Sequence, residues 1–362
     1  MAIQQEHLYL KADLQQRNQL ILKQSSDFIP CYSATKIYIF CPAGFATGGP
    51  EALHQLGARL KELGFNAFMH YYTTPDSVDV VHENYKKYGV PVTDELENKA
   101  QHIMVLPETH LLPIFEDKYQ FIRKAIWWLS VVNYYITQND FADTIKDRPF
   151  FKLRAYFGDF RLATFRKLRR RNDVINISHS HFSKVHLLEN RIKPVGAISD
   201  YMNHAFFDLV NESTVKEDLI IYNPIKNDEF LAEIMSLTPT LSWMPIQGMT
   251  PVQVAALMNR AKLYIDFGYH PGKERMPREA CIMRCSMIVG KSGSAAYQED
   301  MPIPDKYRFE KSRDQIPTII ERINECLNNY DRLIADFEPY RKALYREEEE
   351  FTNAIKRVFV QQ

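Results

Sequence analysis

Residues 36–72 read KIYIFCPAGFATGGPEALHQLGARLKELGFNAFMHYY, and the order of patterns in this stretch decides the fold. KIYIFCP, 36–42, is rich in β-branched and aromatic residues and predicts a strand. A glycine loop follows, and Leu53, Leu56, Leu60 and Leu63 then recur at helical spacing. FNAFMHYY, 65–72, predicts a second strand. Strand, helix and strand in this order form a βαβ unit, which requires a parallel sheet with its ligands at the carboxyl ends of the strands.

The alternation continues in both directions from that unit. HIMVLPE (102–108), a buried segment KAIWWLSVVNYYI (124–136), DVINISHS (173–180) and KPVGAISDYMN (193–203) extend the first series. After the polar stretch NESTVKED (211–218), a second series begins with LIIYNP (219–224), a helix over 228–236, LSWMPIQG (241–248), TPVQVAALMNRAK (250–262) and KLYIDFG (262–268). The chain from 314 onward has helical periodicity. These patterns predict an α/β protein with domains at 1–212 and 213–330 and C-terminal helices at 331–362 that pack back on the first domain. No repeat of 20 to 50 residues and no low-complexity tract occurs.

Composition narrows the partners. Of 362 residues, 45% are hydrophobic and 25% charged, as in ordinary globular chains. Lys+Arg and Asp+Glu balance at 45 each, which argues against a nucleic-acid binder held by counterion release. The five cysteines form no CxxC pair. Cys281 and Cys285 lie four apart on an expected helix and read as apolar packing rather than as a metal site. The N-terminus has no apolar leader, and no apolar run approaches the ~18 residues of a membrane span, so the expected address is the reducing cytoplasm. The acidic run at 347–350 reads as a solvated face.

Three strand ends are suited to anions. Gly48 and Gly49 let backbone approach a ligand at a helix start, although a tight strand-to-helix turn would look the same. In Tyr222-Asn223-Pro224-Ile225-Lys226-Asn227 a buried strand ends at a proline, and Lys226 stands where it could meet phosphate oxygens; a surface lysine after a turn is the alternative. HPGKERMPREA, 270–280, brings His270, Gly272, Lys273 and Arg275 in front of a helix expected to open around Pro277. Glu279 near that helix start could accept both hydroxyls of a ribose, with Gly272, Lys273 and Arg275 serving a diphosphate. Taken alone, this stretch reads rather as a capping glutamate with a solvated lysine and arginine. Three such ends in one chain favour a ligand.

Together these segments resemble the two-Rossmann-domain (GT-B) glycosyltransferases, close to retaining enzymes that use nucleotide sugars in bacterial polysaccharide assembly. TGGPEALHQL resembles the class's first glycine loop, IIYNPIKN its YNPxKG turn, PREACIMRCSMIV its PLEAMACGCPVI helix, and GSAAYQEDMPIPDKY (293–307) the stretch that follows in bacterial relatives. The resemblance spans most of 36–310. It implies two Rossmann-like domains facing a cleft, sugar transfer from a nucleotide-sugar donor to a saccharide or lipid-linked saccharide, retention of configuration, and neither a metal nor a cofactor. It also implies catalytic roles for Lys226, His270, Lys273 and Glu279. Donor contacts are implied for Gly48, Gly49, Tyr222, Asn223, Pro224, Gly272, Arg275, Met276 and Pro277. Glu279 matches the second glutamate of the class's EX7E motif, but Pro271 occupies the first position, leaving that sugar contact absent or supplied by His270, Lys273 or Glu274. Asn227 and Arg284 replace two usual glycines.

The class also lends the donor sugar a polar contact from its N-terminal half, for which Glu108, His110, Ser130, His179 and His181 are the strand-end candidates. FRLATFRKLRRR (160–171) would form an amphipathic basic helix, and Arg161, Arg166, Lys167, Arg169, Arg170 and Arg171 are expected either to be solvated or to touch an anionic membrane. A nucleotide-sugar epimerase of the same fold and a non-catalytic sugar-binding scaffold are the alternatives.

Overall fold

The computed structural model describes residues 27–72, 79–145, 162–226 and 228–362. Its contacts divide the chain into two units, one ending at Asp200 and rejoined by Glu350–Gln362, the other Tyr201–Glu349. Each unit has its own parallel sheet.

In the first unit, β1 (Ile29–Cys31) precedes a six-stranded sheet of β2 (Lys36–Pro42), β3 (Asn66–Tyr72), β4 (Ile103–Pro107), β5 (Arg123–Trp128), β6 (Val174–Ser178) and β7 (Gly196–Ala197). Its spatial order is β3-β2-β4-β5-β6-β7, all parallel. The helices α1 (Gly48–Glu62), α2 (Val131–Ile145) and α3 (His181–Glu189) follow β2, β5 and β6. A parallel sheet is covered on both faces, so its central strands read as continuous apolar runs, and every residue of β4 and β5 is buried. Polar atoms that burial would orphan find partners: Trp127 Nε1 donates to Ile198 O at 2.9 Å, and Trp128 Nε1 to Asn176 Oδ1 at 2.9 Å.

The second unit holds β8 (Glu217–Tyr222), β9 (Ser242–Pro245), β10 (Ala261–Asp266), β11 (Ser286–Gly290) and β12 (Arg308–Phe309) in the order β12-β11-β10-β8-β9, again all parallel. Between and after them come α4 (Glu229–Leu237), α5 (Pro251–Arg260), α6 (Arg275–Ile282), α7 (Ile316–Asn328) and α8 (Glu338–Tyr345). Local chemistry starts two of these cleanly: Asp228 caps α4 by accepting from Phe230 N–H at 3.0 Å, and Thr250 and Gln253 form a capping box on α5. The last helix, α9 (Glu347–Val358), begins in the second unit and ends in the first, where β13 (Phe359–Gln361) pairs parallel with β1.

Two expected boundaries fall elsewhere. The division comes at Asp200 and not at 212, because Phe206, Phe207, Leu209 and Val210 pack on the second core, and Asn259 Nδ2 donates to Leu209 O at 2.8 Å. The helices after 330 form no separate segment up to Glu349, since Ile334, Phe337, Tyr340 and Leu344 belong to that same core. The expected amphipathic helix over 160–171 is also shorter. Phe160 and Arg161 lie outside the described residues, and beyond them only Phe165–Leu168 is helical.

Where the last helix meets the first sheet there is no spare room. A β-carbon at Gly196 would lie 2.6 Å from Val358 Cγ2. Gly196→Ala should therefore destabilise the protein by ~1–3 kcal/mol in urea denaturation, as overpacking does. Pairing it with Val358→Ala should recover part of that loss; an additive double variant would contradict the contact.

Candidate functional site

The second sheet reverses direction between β8 and β10, since β9 lies outside β8 and the chain then crosses to the other side. In open parallel sheets this reversal opens the crevice that receives ligands, at the carboxyl ends of the two strands. Lys226 follows β8 and Gly268 follows β10. Asn223 shapes the first turn, its Oδ1 accepting from Ile225 N–H at 3.1 Å. Gly268 must be glycine: a β-carbon there would lie 2.6 Å from Lys226 O and 2.7 Å from Lys226 Cβ. Buried Asp266 fixes this approach, accepting from Gly268 N–H and from Tyr264 O–H, each at 2.8 Å.

The loop from Gly268 to α6 is built just as tightly. Ser294 N–H donates to His270 O at 2.9 Å and Ser294 Oγ to Gly272 O at 2.5 Å, while Gly293 adopts φ 54° against the His270 backbone. The His270 ring is buried, with Nε2 3.8 Å from Asp266 Oδ1 and neither nitrogen hydrogen-bonded. Burial pushes its pKa down, so the imidazole is neutral. Lys226 pairs with the carboxylate of Glu274, the N-cap residue of α6, whose side chain does not cap the helix.

The structure places the other expected residues as follows. Tyr222 is half-buried on the second core, edge-on to Trp243 at 6.2 Å, with Asn223 and Pro224 partly exposed behind it. Helix α6 begins at Arg275, two residues before the expected start, because a proline fits anywhere in a first turn that has no intrahelical N–H bonds. Arg275 is exposed, Met276 packs on the core, and Pro277 is buried. Glu279 is buried in the second turn of α6, not at its first N–H groups. Gly272 is buried. Asn227 lies outside the described residues. The ammonium of Lys273 is neutralised by Glu347, Nζ to Oε1 at 2.9 Å. Glu347 itself is buried, correcting its reading as part of a solvated face; Lys273 and Arg278 supply the charges that allow it inside.

Gly48 and Gly49 belong to the first unit, at its own reversal point between β2 and β4. They open α1 after Thr47, which makes no side-chain cap, and the space beside Gly48 is open. Beneath them the loop is pinned: His54 Nδ1 donates to Pro50 O at 2.6 Å, Tyr71 O–H donates to His54 Nε2 at 2.7 Å, and Tyr85 O–H to Thr47 O at 2.8 Å. Across the reversal point, Glu108 is fully buried after β4 and accepts from Leu129 N–H at 2.8 Å. Burial pushes its pKa up to about 8 against the hydrogen bonds that favour the anion. Of the other candidates, His110 stacks on Tyr72 at 3.7 Å with its pKa lowered by burial to about 4, and Ser130 Oγ accepts from Asn133 N–H at 3.1 Å at the start of α2. His179 meets Asp200 at 3.1 Å, and partly buried His181 opens α3.

The basic segment is partly committed to internal contacts. Arg171 forms a two-pronged pair with Asp173 at 2.7 Å, and Lys167 and Arg171 lie over the Phe115 ring. Arg169 and Arg170 are exposed and Arg166 is partly so. No helix among the described residues is long and apolar enough to cross a membrane, and no cluster of metal ligands occurs among them. A cavity of about 450 Å³ in the second unit lies at the opposite, amino ends of β8 and β10. Lys216 in its wall already donates to three backbone carbonyls, of Met258, Ala261 and Met283.

Sequence reasoning did not single out Asp266, Arg278 or Glu347. A lone acid ending the apolar strand KLYID was the one available signal for Asp266. Arg278 and Glu347 stand in charged runs, where nothing local distinguishes a buried charge from a solvated one.

No family model and no curated protein matches this sequence. Among solved structures the chain is similar to Anabaena Alr3699/HepE in complex with UDP and glucose, with TM-score 0.57 and 9% identity over 89% of this chain and 99% of that one. The same protein in complex with UDP-glucose gives TM-score 0.52 at 9% identity, with 89% and 99% covered. The N-terminal domain of Candida albicans trehalose-6-phosphate phosphatase gives 0.54 at 8% identity, with 89% and 97% covered. At such identities the likeness is one of fold. The chain is an α/β protein of two Rossmann-like units, with a GT-B fold.

Glu108 has a pKa of about 8 in the folded protein against an ordinary 4.5, so between those values the folded state keeps a proton that the unfolded chain has released. Its contribution to stability is full below 4.5 and is lost as pH rises toward 8. Glu108→Gln keeps an acceptor for Leu129 N–H and has no charge to bury. Wild-type stability should therefore fall relative to this variant by a few kcal/mol, roughly, across that range. Parallel stability curves would contradict the assignment.

Proposed function

We propose that the protein transfers a sugar from a nucleotide-sugar donor to a saccharide or lipid-linked saccharide acceptor in the synthesis of a cell-surface polysaccharide. One observation carries the reading. At the β8–β10 reversal point, in a fold shared with a protein solved with UDP and glucose, a lysine is held by a single partly exposed carboxylate beside the start of α6.

The chemistry follows from that placement. Departure of a nucleoside diphosphate leaves charge on its phosphate oxygens, and a positioned cation stabilises it. Glu274 takes one of the three donors of the Lys226 ammonium and keeps it in place, so the remaining donors meet the diphosphate without reorganising the loop. Glu279 binds the ribose hydroxyls, and Gly272, Arg275 and the first N–H groups of α6 complete the donor site. His270, buried beside Asp266 with neither ring nitrogen hydrogen-bonded, is the candidate for the transferred sugar once donor binding opens the loop above it, while Lys273 supports the loop through Glu347. The first unit holds the acceptor at its own reversal point, where Gly48 and Gly49 admit backbone contacts and Glu108 supplies the polar group. The reading includes retention of configuration and calls for no divalent ion, because Lys226 supplies the positive charge.

A panel of UDP-, GDP- and dTDP-sugars tests this directly. Wild type should release free nucleotide from at least one of them, and Lys226→Ala should do so about a hundredfold more slowly. Interconversion of sugars without release would make the protein an epimerase, and binding without either would make it a scaffold.

A lipid-linked acceptor would bring the protein to an anionic membrane surface through Arg166, Arg169 and Arg170. Each such charge contributes on the order of 1 kcal/mol, weakened by salt. Co-sedimentation with anionic liposomes at low salt, lost at high salt and in an Arg166→Gln/Arg169→Gln/Arg170→Gln variant, is the expected result. No co-sedimentation at low salt would remove the membrane from the account.

A further inference from the structure

Arg278 is a buried arginine whose three guanidinium nitrogens all have work inside the second unit. Nε donates to Glu274 O at 3.2 Å, Nη2 to Lys273 O at 3.1 Å, and Nη1 to Glu347 Oε2 at 3.2 Å. Glu347 stands at the first residue of α9, and both of its oxygens are engaged. Oε1 takes Lys273 Nζ at 2.9 Å, while Oε2 takes Arg278 and the Met202 N–H at 3.2 Å. The guanidinium therefore brackets the two carbonyls of residues 273 and 274 from one side, and Glu347 holds the guanidinium from the other.

This matters because of what Glu274 does. Its carboxylate is the partner of Lys226, and its side chain makes no cap for α6. Without a cap, its position depends on its backbone, and its carbonyl is one of the two that Arg278 fixes. A continuous path of charge-assisted hydrogen bonds thus runs from Glu347 through Arg278 and the Glu274 backbone to Lys226.

We propose that Arg278 and Glu347 are positioning residues for the donor site, a buried clamp that sets Glu274 and through it the ammonium of Lys226. The inference rests on the sugar-transfer reading for its consequence in turnover, but the clamp itself is independent of that reading. Neither residue touches the donor. Their role is to hold the cation where charge develops, so their loss should appear in kcat more than in the binding of nucleotide.

A structural role and a positioning role separate in one comparison. Buried ion pairs can be replaced by apolar side chains of similar size with little loss of stability, whereas removing one partner leaves a charge stranded. The triple variant Lys273→Met/Arg278→Met/Glu347→Leu should therefore fold, melt near wild type and bind UDP, GDP or dTDP as wild type does, yet show kcat reduced on the order of tenfold or more. The single variant Glu347→Gln should show the same fall in kcat with a smaller change in donor KM, and it decides the matter should the triple variant not fold. Wild-type kcat in either folded variant would overturn the proposal. Amide hydrogen exchange over residues 272–276 gives a readout that needs no turnover: it should quicken on the order of tenfold in Glu347→Gln. Unchanged exchange would overturn the clamp. Quickened exchange in a protein whose wild type releases no nucleotide from any sugar of the panel would keep the clamp and refute the enzyme.

Discussion

The backbones of Lys226 and Gly268 approach so closely that no side chain fits between them, and this contact fixes the carboxyl end of the second sheet. It exists because β8 and β10 are neighbours in register, Ile220 beside Leu263 and Tyr222 beside Ile265, although they are separated in sequence by β9. Strand pairing brings the two loops together, and Asp266 locks them by accepting from Gly268 N–H. A candidate cation, a neutral imidazole and the start of α6 are then gathered around one reversal point. The first sheet repeats the arrangement with Gly48, Gly49 and Glu108. In both units the central strands are buried on both faces, so their ends are what remains for chemistry.

Much of this was legible in the sequence. Apolar runs such as IMVLP and LYID could only be strands covered on both sides, and their alternation with helical periodicity required parallel sheets. Lys226 and the 270–280 stretch were legible as loops because a proline, a glycine or a dense charged turn ended each strand. Burial of charge was not legible. Glu347 stands first in a run of four glutamates, and local pattern treats all four alike, yet it is buried and paired with Lys273 and Arg278. Its partners lie 74 and 69 residues away in sequence, a separation that no local periodicity spans. The basic stretch at 160–171 failed for a related reason. Helical spacing predicted one amphipathic face, but the Phe115 ring and Asp173 take Lys167 and Arg171 into the fold. The domain boundary was misplaced because a polar stretch at 211–218 looked like a linker, while the residues before it already packed on the second core.

The charges of the second unit sort into two layers. Buried inside are Arg278 and Glu347, which satisfy one another and the backbone of the 273–274 turn. Nearer the surface are Lys226 and Glu274, a pair with solvent on one side. The inner layer resists change because breaking it would strand a charge at low dielectric, while the outer pair can admit a second anion to its ammonium at small cost. A ligand with stronger negative charge than a carboxylate meets a cation already in place. The cavity at the opposite end of the same strands lacks this division, since Lys216 there is saturated by carbonyls and has no donor left to offer.

The central claim is that a nucleoside diphosphate binds at the β8–β10 reversal point through Lys226. Crystallography of the protein soaked with UDP, GDP or dTDP tests it most directly. The account predicts diphosphate oxygens within hydrogen-bond distance of Lys226 Nζ, the Lys226–Glu274 pair kept, and Arg278 and Glu347 unmoved. A diphosphate lodged elsewhere, for instance in the cavity beside Lys216 and Arg284, with no phosphate oxygen near Lys226, would contradict it.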